Sequence, residues 1–90
     1  MKVRIKYANE YLVEIFGSIE REEIIKVPKN SKYKELLKIL QSRLKGDNIT
    51  VERTMDQLIF ICNGRNIHLI EDDLIAPDSY LWIGQLIAGG

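Results

Sequence analysis

A helical spacing of apolar residues near the middle of the chain constrains the fold more than any other feature of the sequence. The residues that recur at intervals of three and four are Tyr33, Leu36, Leu37, Leu40 and Leu44. That spacing places them along one face of an amphipathic helix. Ser31 stands where an N-cap is expected, and Gly46 is a suitable stop. The sequence therefore predicts one main helix over residues 32–44.

Extended segments are predicted before this helix. From Lys2 to Tyr7 charged and apolar residues alternate strictly, which is the period of a strand with one buried face. A second strand is predicted at about 22–27, where Pro28 stops it. Between the two, residues 8–16 fit either a strand or one to two turns of helix, with Gly17 as a C-cap or turn, and we favour a short helix or an irregular segment.

More strands are predicted after the helix. Leu58–Cys62 is a continuous apolar run, Asn63-Gly64 follows at once, and Arg65–Ile70 resumes an extended pattern. Asn-Gly between two such runs predicts a β-hairpin. A last strand is predicted at Tyr80–Ile83, with the tail beginning at Gly84.

Three connecting segments complete the chain. Residues 46–57 are polar and mixed, and we predict a long loop with at most a short irregular turn. Residues 71–75 fit a short turn or a piece of 3₁₀ helix, and Pro77-Asp78-Ser79 a tight turn. The order of elements predicts an α+β fold in which one main helix crosses a mixed sheet of four to five strands. With the first and last strands as central neighbours, this is the β-grasp, or ubiquitin-like, arrangement.

Composition limits the classes of function. Thirteen basic residues balance thirteen acidic ones, so no basic footprint for direct nucleic-acid binding is expected. A single cysteine, Cys62, leaves no disulfide framework and fits a reducing compartment. The charged N-terminus lacks the apolar core of a signal peptide, and no apolar run is long enough to span a membrane. We therefore expect a cytoplasmic protein that does not insert into membranes.

Several short segments together resemble a known family. They are Val3–Ala8, Gly17, Ile25–Pro28, Lys34–Leu37, Cys62–Arg65 and Leu86–Gly90. The chain is similar to the sulfur-carrier branch of ubiquitin-like proteins, which includes the small subunit of molybdopterin synthase (MoaD), the thiamin sulfur carrier (ThiS) and the ubiquitin-related modifiers. The ending Leu-Ile-Ala-Gly-Gly is the most specific part of the match. Pro77-Asp78-Ser79 departs from the molybdopterin subunit, which usually has an Asp-Gly-Asp turn there.

The resemblance implies a role for the C-terminus. An E1-like, ATP-dependent activating enzyme would adenylate the Gly90 carboxylate, which would become a thiocarboxylate or be passed to a lysine of a target protein. Ile87, Ala88 and Gly89 would thread the channel to the nucleotide, where glycine fits because it has no Cβ. Residues 1–84 would form the β-grasp domain and residues 85–90 a flexible tail. Molybdopterin, thiamin and tRNA thiolation pathways all remain open for the acceptor enzyme.

The sequence offers little for an active site of its own. Cys62 lies in an apolar run, where a free cysteine is usually an inert core residue. His68 is the single histidine, lacks metal-ligand spacing and is predicted as a strand residue. The adjacent carboxylates Glu22-Glu23 and Asp72-Asp73 are expected to be solvated. We therefore expect no enzyme, no metal site and no cofactor, but a carrier that other enzymes use.

A docking surface is expected beside the tail. If Leu81 and Ile83 face the core, Tyr80 and Trp82 face outward on the open side of the sheet, together with the basic residues of the first strand. Leu86 would extend this partner-binding surface. With the opposite parity, Trp82 would be core. A plain non-covalent β-grasp interaction domain, with an incidental glycine tail, is the alternative from another class.

Overall fold

The computed structural model describes residues 1–86. It contains the strands β1 (Lys2–Tyr7), β2 (Glu22–Lys26), β3 (Leu58–Cys62), β4 (Arg65–Asn66) and β5 (Tyr80–Gln85). The helices are α1 (Glu10–Ile15), α2 (Tyr33–Gln41) and α3 (Asn48–Asp56), with a 3₁₀ turn at Ile67–Leu69. None of the described helices is long and apolar enough to cross a membrane.

The strands form one mixed sheet in the order β2-β1-β5-β3-β4. The first and last strands are central neighbours and run parallel, with Ile5 opposite Leu81. β1 pairs with β2, and β3 with β5 and β4, all antiparallel. The predicted mixed sheet with the first and last strands at its centre is confirmed.

Strand β1 shows why the sheet has two different faces. Val3, Ile5 and Tyr7 are fully buried, while the charged residues between them are exposed. Because side chains alternate along a strand, the buried set meets the leucines of α2 and the charged set lies on the open face. The predicted orientation of β1 is confirmed.

Helix α2 buries the predicted face, with Tyr33, Leu36, Leu37 and Leu40 in the core. Its limits differ from the prediction. Lys32 is the N-cap residue, and its N–H donates to the Glu35 carboxylate at 3.1 Å. Ser31 instead donates its hydroxyl to the Pro28 carbonyl at 2.6 Å. The helix ends at Gln41, and a non-helical turn carries the chain to Gly46, whose φ is +122°.

The segment predicted as a long loop contains helix α3, so that prediction is wrong. Asp47 caps the helix, because its carboxylate accepts the Thr50 N–H at 2.8 Å. Only Val51 of this helix is buried. Ile49, Thr50 and Val51 are β-branched and weak helix formers. The helix therefore lacks both the propensity and the apolar stripe that identify α2.

Helix α1 confirms the favoured interpretation of residues 8–16. The Asn9 side chain accepts the Leu12 N–H at 3.0 Å and caps the helix. Leu12 is buried in the core, and the Phe16 ring just beyond the helix stacks on Tyr7 with centroids 5.7 Å apart. Gly17 follows with φ +67°, a conformation that favours glycine.

The hairpin at Asn63-Gly64 is present, but the extended segment predicted after it is not. Strand β4 has only two residues, and the 3₁₀ turn begins at once. The Asn66 side chain accepts the His68 N–H at 2.9 Å, which starts this turn. Ile67 and Ile70 are buried on one side of it. His68 is therefore a residue of the 3₁₀ turn and not of a strand.

Candidate docking face and C-terminal strand

Strand β5 connects the core to the open face of the sheet. Leu81 and Ile83 are fully buried, whereas Tyr80 and Trp82 are half-buried on the other side. The start of the strand is anchored by two hydrogen bonds to the hairpin turn. The Tyr80 N–H donates to Asn63 Oδ1 at 2.9 Å, and the Asn63 N–H donates to the Tyr80 carbonyl at 2.9 Å. The hairpin turn thus fixes where β5 begins.

Trp82 lies over Gly84 on the open face. A Cβ added at Gly84 would lie 2.1 Å from Cη2 and 2.5 Å from Cζ3 of the indole. Atoms cannot approach this closely, so the position of the Trp82 ring requires a glycine at position 84. Gly84, predicted as the start of the tail, is a buried member of β5. No sequence pattern identifies this contact, because it depends on the rotamer of Trp82.

The open face is mixed apolar and charged, with an excess of basic residues. The sheet register aligns Glu22, Lys6, Trp82 and Ile61 in one row, and Ile24, Arg4 and Tyr80 in another. Ile24 is 60% exposed. A shallow hollow of about 270 Å³ lies among Lys2, Arg4, Ile24, Asp78, Ser79 and Tyr80. A surface of aromatic and aliphatic groups bordered by cations suits a partner with an apolar centre and an acidic rim.

The described end of β5 is held by neighbouring segments. Leu58 pairs with Gln85, two residues beyond the predicted end of the strand, and the Leu86 N–H donates to the Gln57 carbonyl at 2.9 Å. The Asn9 amide donates to Gln85 Oε1 at 2.9 Å, which ties the cap of α1 to this end of the strand. The Leu86 side chain is 59% exposed. The predicted site residues Ile87, Ala88, Gly89 and Gly90 lie outside the described residues.

Cys62 is a core residue, as predicted. Its side chain is fully buried, and burial raises the pKa of the thiol. A buried thiol with a raised pKa carries little thiolate and is a poor nucleophile. His68 is exposed, approaches Glu71 at 3.7 Å and meets the Phe60 ring edge-on. Among residues 1–86, no group of three metal-binding side chains is brought together.

The two pairs of adjacent carboxylates are not equally solvated, which corrects the expectation for Glu23. Its carboxylate accepts hydrogen bonds from the Tyr7 hydroxyl and from Arg43, just after α2. Burial, followed by the hydrogen bond to Glu23, raises the pKa of Tyr7. Asp72 is exposed and pairs with Lys34 at 3.1 Å. The Tyr7–Glu23–Arg43 network therefore links β1 and β2 to the end of α2.

Comparison with known proteins rests on structure. No protein-family model matches the sequence, and no curated protein matches it. A molybdopterin converting factor, subunit 1, from Pyrococcus furiosus superposes with a TM-score of 0.68 at 16% identity, covering 97% of this chain and 99% of that one. SAMP1 from Haloferax volcanii gives 0.67 at 16% identity and covers all of both chains. Another structure, of H. volcanii small archaeal modifier protein 1, gives 0.62 at 15% identity, covering 96% of this chain and 98% of that one.

These likenesses extend over nearly the whole chain, but at such low identity they establish the fold alone. All three neighbours are small β-grasp proteins, and they superpose on this chain with TM-scores of 0.62–0.68. The chain therefore has the β-grasp fold.

Proposed function

We propose that this protein is a ubiquitin-like sulfur carrier that acts through the carboxylate of Gly90. One observation carries the proposal: on a β-grasp fold, the central strand β5 is followed directly by Leu86-Ile87-Ala88-Gly89-Gly90. The similarity to a molybdopterin converting factor subunit supports a place in sulfur transfer. The molybdopterin, thiamin and tRNA thiolation pathways are the candidates for the acceptor.

The chemistry begins with ATP. A Gly90 carboxylate oxygen attacks the α-phosphorus, a P–O bond forms, and pyrophosphate leaves. The resulting acyl-adenylate is a strong electrophile at its carbonyl carbon. A hydrosulfide ion supplied by the partner then attacks this carbon, the C–O bond to AMP breaks and AMP leaves, and loss of the proton to solvent leaves a thiocarboxylate on Gly90. Glycine at the last two positions presents no Cβ to the walls of a narrow active site. Because the activation consumes ATP, we place this step in the cytoplasm.

Because Gln85 belongs to β5, the proposed tail comprises residues 86–90. It is short, so the position in which the domain docks decides whether the carboxylate reaches the nucleotide. Residues 86–90 would span at most about 17 Å when fully extended. The carboxylate can therefore reach a nucleotide only if the domain sits close to the activating enzyme. The open face beside β5, with Trp82 and Tyr80 among Arg4 and Lys6, is the surface that we assign to this contact. Leu86, exposed at the base of the tail, would complete it.

Pyrophosphate exchange with the activating enzyme tests the proposal. Deleting Gly89 and Gly90 should abolish exchange but leave the melting temperature almost unchanged, because the proposed tail would make few buried contacts. Trp82→Ala should raise the KM for the carrier more than it lowers kcat, because the docking contact is lost while the carboxylate remains. Lys45→Glu, an exposed change away from the open face, is the control. Exchange that is unchanged by the two-residue deletion would contradict the carrier proposal and favour a non-covalent interaction domain.

A second function, conjugation of Gly90 to target lysines, is supported by the similarity to SAMP1 over the full length of both chains. Both functions would begin with adenylation, so intact mass separates them. A carrier gains the mass difference between sulfur and oxygen, whereas a modifier moves into larger species that contain an isopeptide bond. Recovery of conjugates that disappear with the two-residue deletion would establish the second function.

A further inference from the structure

We propose that the outer edge of β2 is an interface through which two copies of this chain associate. Among residues 1–86 only β1 pairs with β2, which makes β2 an edge strand of the described sheet. The Tyr7 N–H donates to the Arg21 carbonyl at 2.8 Å and the Val27 N–H to the Met1 carbonyl at 2.8 Å. In an antiparallel pair the bonded positions recur every two residues.

That alternation identifies the free backbone groups. Glu23 and Ile25 direct their N–H and C=O groups towards β1, so Glu22, Ile24 and Lys26 direct theirs outward. No other described residue donates to or accepts from these outward groups. An unpaired row of this kind is a template for another strand.

The side chains on this edge are self-complementary in one register. An antiparallel pairing centred on Ile24 places Ile24 of the two copies together across the two-fold axis. It also places Glu22 of each copy opposite Lys26 of the other. Shifting the register of one copy by two residues removes these charge pairs. In one direction Glu22 lies opposite Ile24 of the other copy, and in the other direction it lies opposite Pro28, which has no N–H to donate. A parallel pairing would oppose like charges.

In a single copy of the chain, the charge of Lys26 is repelled by a like charge on the neighbouring strand. Lys26 lies directly opposite Lys2 of β1 on the open face, and like charges in that position repel. Neither Lys26 nor Glu22 forms an ion pair with another described residue. Glu22 of a second copy would neutralise Lys26 and relieve this repulsion. Charged residues usually protect a sheet edge, but here the register turns them into an attraction.

The resulting dimer is compatible with the proposed carrier function and does not rest on it. The two sheets would join into one across the β2–β2 pair, and the two-fold axis would direct the two β5 strands in opposite directions. Both open faces would lie on the same side of the joined sheet. Because the shared edge is short, the association should be weak and dependent on concentration.

Sedimentation and translational diffusion of the full chain up to about 1 mM, the range in which weak dimers form, test the proposal. The apparent mass of the unmodified protein should rise with concentration. Glu22→Lys makes both edge charges basic and Lys26→Glu makes both acidic. Each variant alone should associate about tenfold more weakly or worse, because attractive pairs become repulsive.

An equimolar mixture of the two variants is the decisive measurement. In the mixed pair every Glu again meets a Lys, so association should return to at least the level of the unmodified protein. Ile24→Pro, which removes the amide donor at the axis, should not associate. Glu52→Lys and Lys45→Glu make the same charge changes at exposed positions elsewhere and should behave like the unmodified protein, alone and mixed.

Three outcomes would overturn the proposal. One is an unmodified protein that stays monomeric at about 1 mM. Another is a mixture of the charge variants that associates no better than either alone. The third is association that survives both charge reversals, which would place the contact on another surface. Melting curves for each variant show that a loss of association does not reflect unfolding.

Discussion

At the scale of single residues, the open face depends on the contact between Trp82 and Gly84. The three atoms nearest to a Cβ at position 84 all belong to the Trp82 ring. Any side chain there must displace the indole from the strand. The shape of the proposed docking surface therefore depends on a glycine that is itself buried.

A double-mutant cycle should reveal this dependence. Gly84→Ala should lower the free energy of unfolding by about 1–3 kcal/mol, because the new methyl group forces Trp82 out of its position. In a Trp82→Ala background, the same change should cost under about 0.5 kcal/mol, because the obstructing ring is gone. Chemical denaturation of the four proteins gives the coupling. Equal costs in the two backgrounds would show that the ring does not lie over Gly84.

Tyr7 should make the free energy of unfolding depend on pH in the alkaline range. Burial and the hydrogen bond to Glu23 raise its pKa above the ordinary value near 10. At pH values between the ordinary tyrosine pKa and the raised pKa of Tyr7, the unfolded chain has released the tyrosine proton that the folded chain retains. The free energy of unfolding contributed by Tyr7 should thus be fully present below about pH 10 and be lost as pH rises further.

Comparing Tyr7→Phe with Tyr11→Phe isolates this effect. Tyr11 is exposed, so its replacement should leave the alkaline decline of the unfolding free energy unchanged. Tyr7→Phe should be less stable near neutral pH but decline less steeply above about pH 10. Parallel declines in the two variants, measured by denaturant unfolding from pH 8 to 11, would contradict the assignment.

At the scale of elements, the sequence is informative where a segment has a strong period and silent where contacts are few. The leucine spacing identifies α2 because four of its residues pack into one core. The spacing of apolar residues does not predict helix α3, because this helix buries only Val51 and depends on its N-cap. The start of α2 and the start of the 3₁₀ turn at Ile67–Leu69 depend on single hydrogen bonds that the side chains of Glu35 and Asn66 accept from backbone N–H groups. Such bonds leave no periodic trace in the sequence.

Helix α3 should accordingly be sensitive to its cap. Asp47→Ala removes the acceptor for the Thr50 N–H, and little buried surface compensates. Amide hydrogen exchange in Asn48–Asp56 should accelerate, while exchange in α2 and the central strands stays unchanged. Asp47→Asn, which keeps an acceptor oxygen, is the matched control. Uniform acceleration in both variants would mean that the cap is not what stabilises α3.

At the scale of the whole molecule, the proposed division into domain and tail predicts a sharp dynamic boundary. Backbone amides of α2 and β5 should have order parameters near about 0.85, and those of the tail after Leu86 should fall below about 0.6. ¹⁵N relaxation of the free protein measures both. A tail as ordered as α2 would argue that the last residues pack on the domain and are not available to a partner.

The parallel pairing of β1 with β5 also has a consequence for how the chain acquires its structure during synthesis. β5, at the centre of the sheet, follows every other described element in the chain, so the ribosome delivers the inner neighbour of β1 only after those elements. At ordinary translation rates this delay is on the order of ten seconds. Throughout that interval the apolar face of β1 has no β5 beside it, and an unpaired apolar strand of this kind favours aggregation of a nascent chain. The residues proposed to carry out the chemistry follow β5, so they emerge from the ribosome only after the strand that completes the sheet.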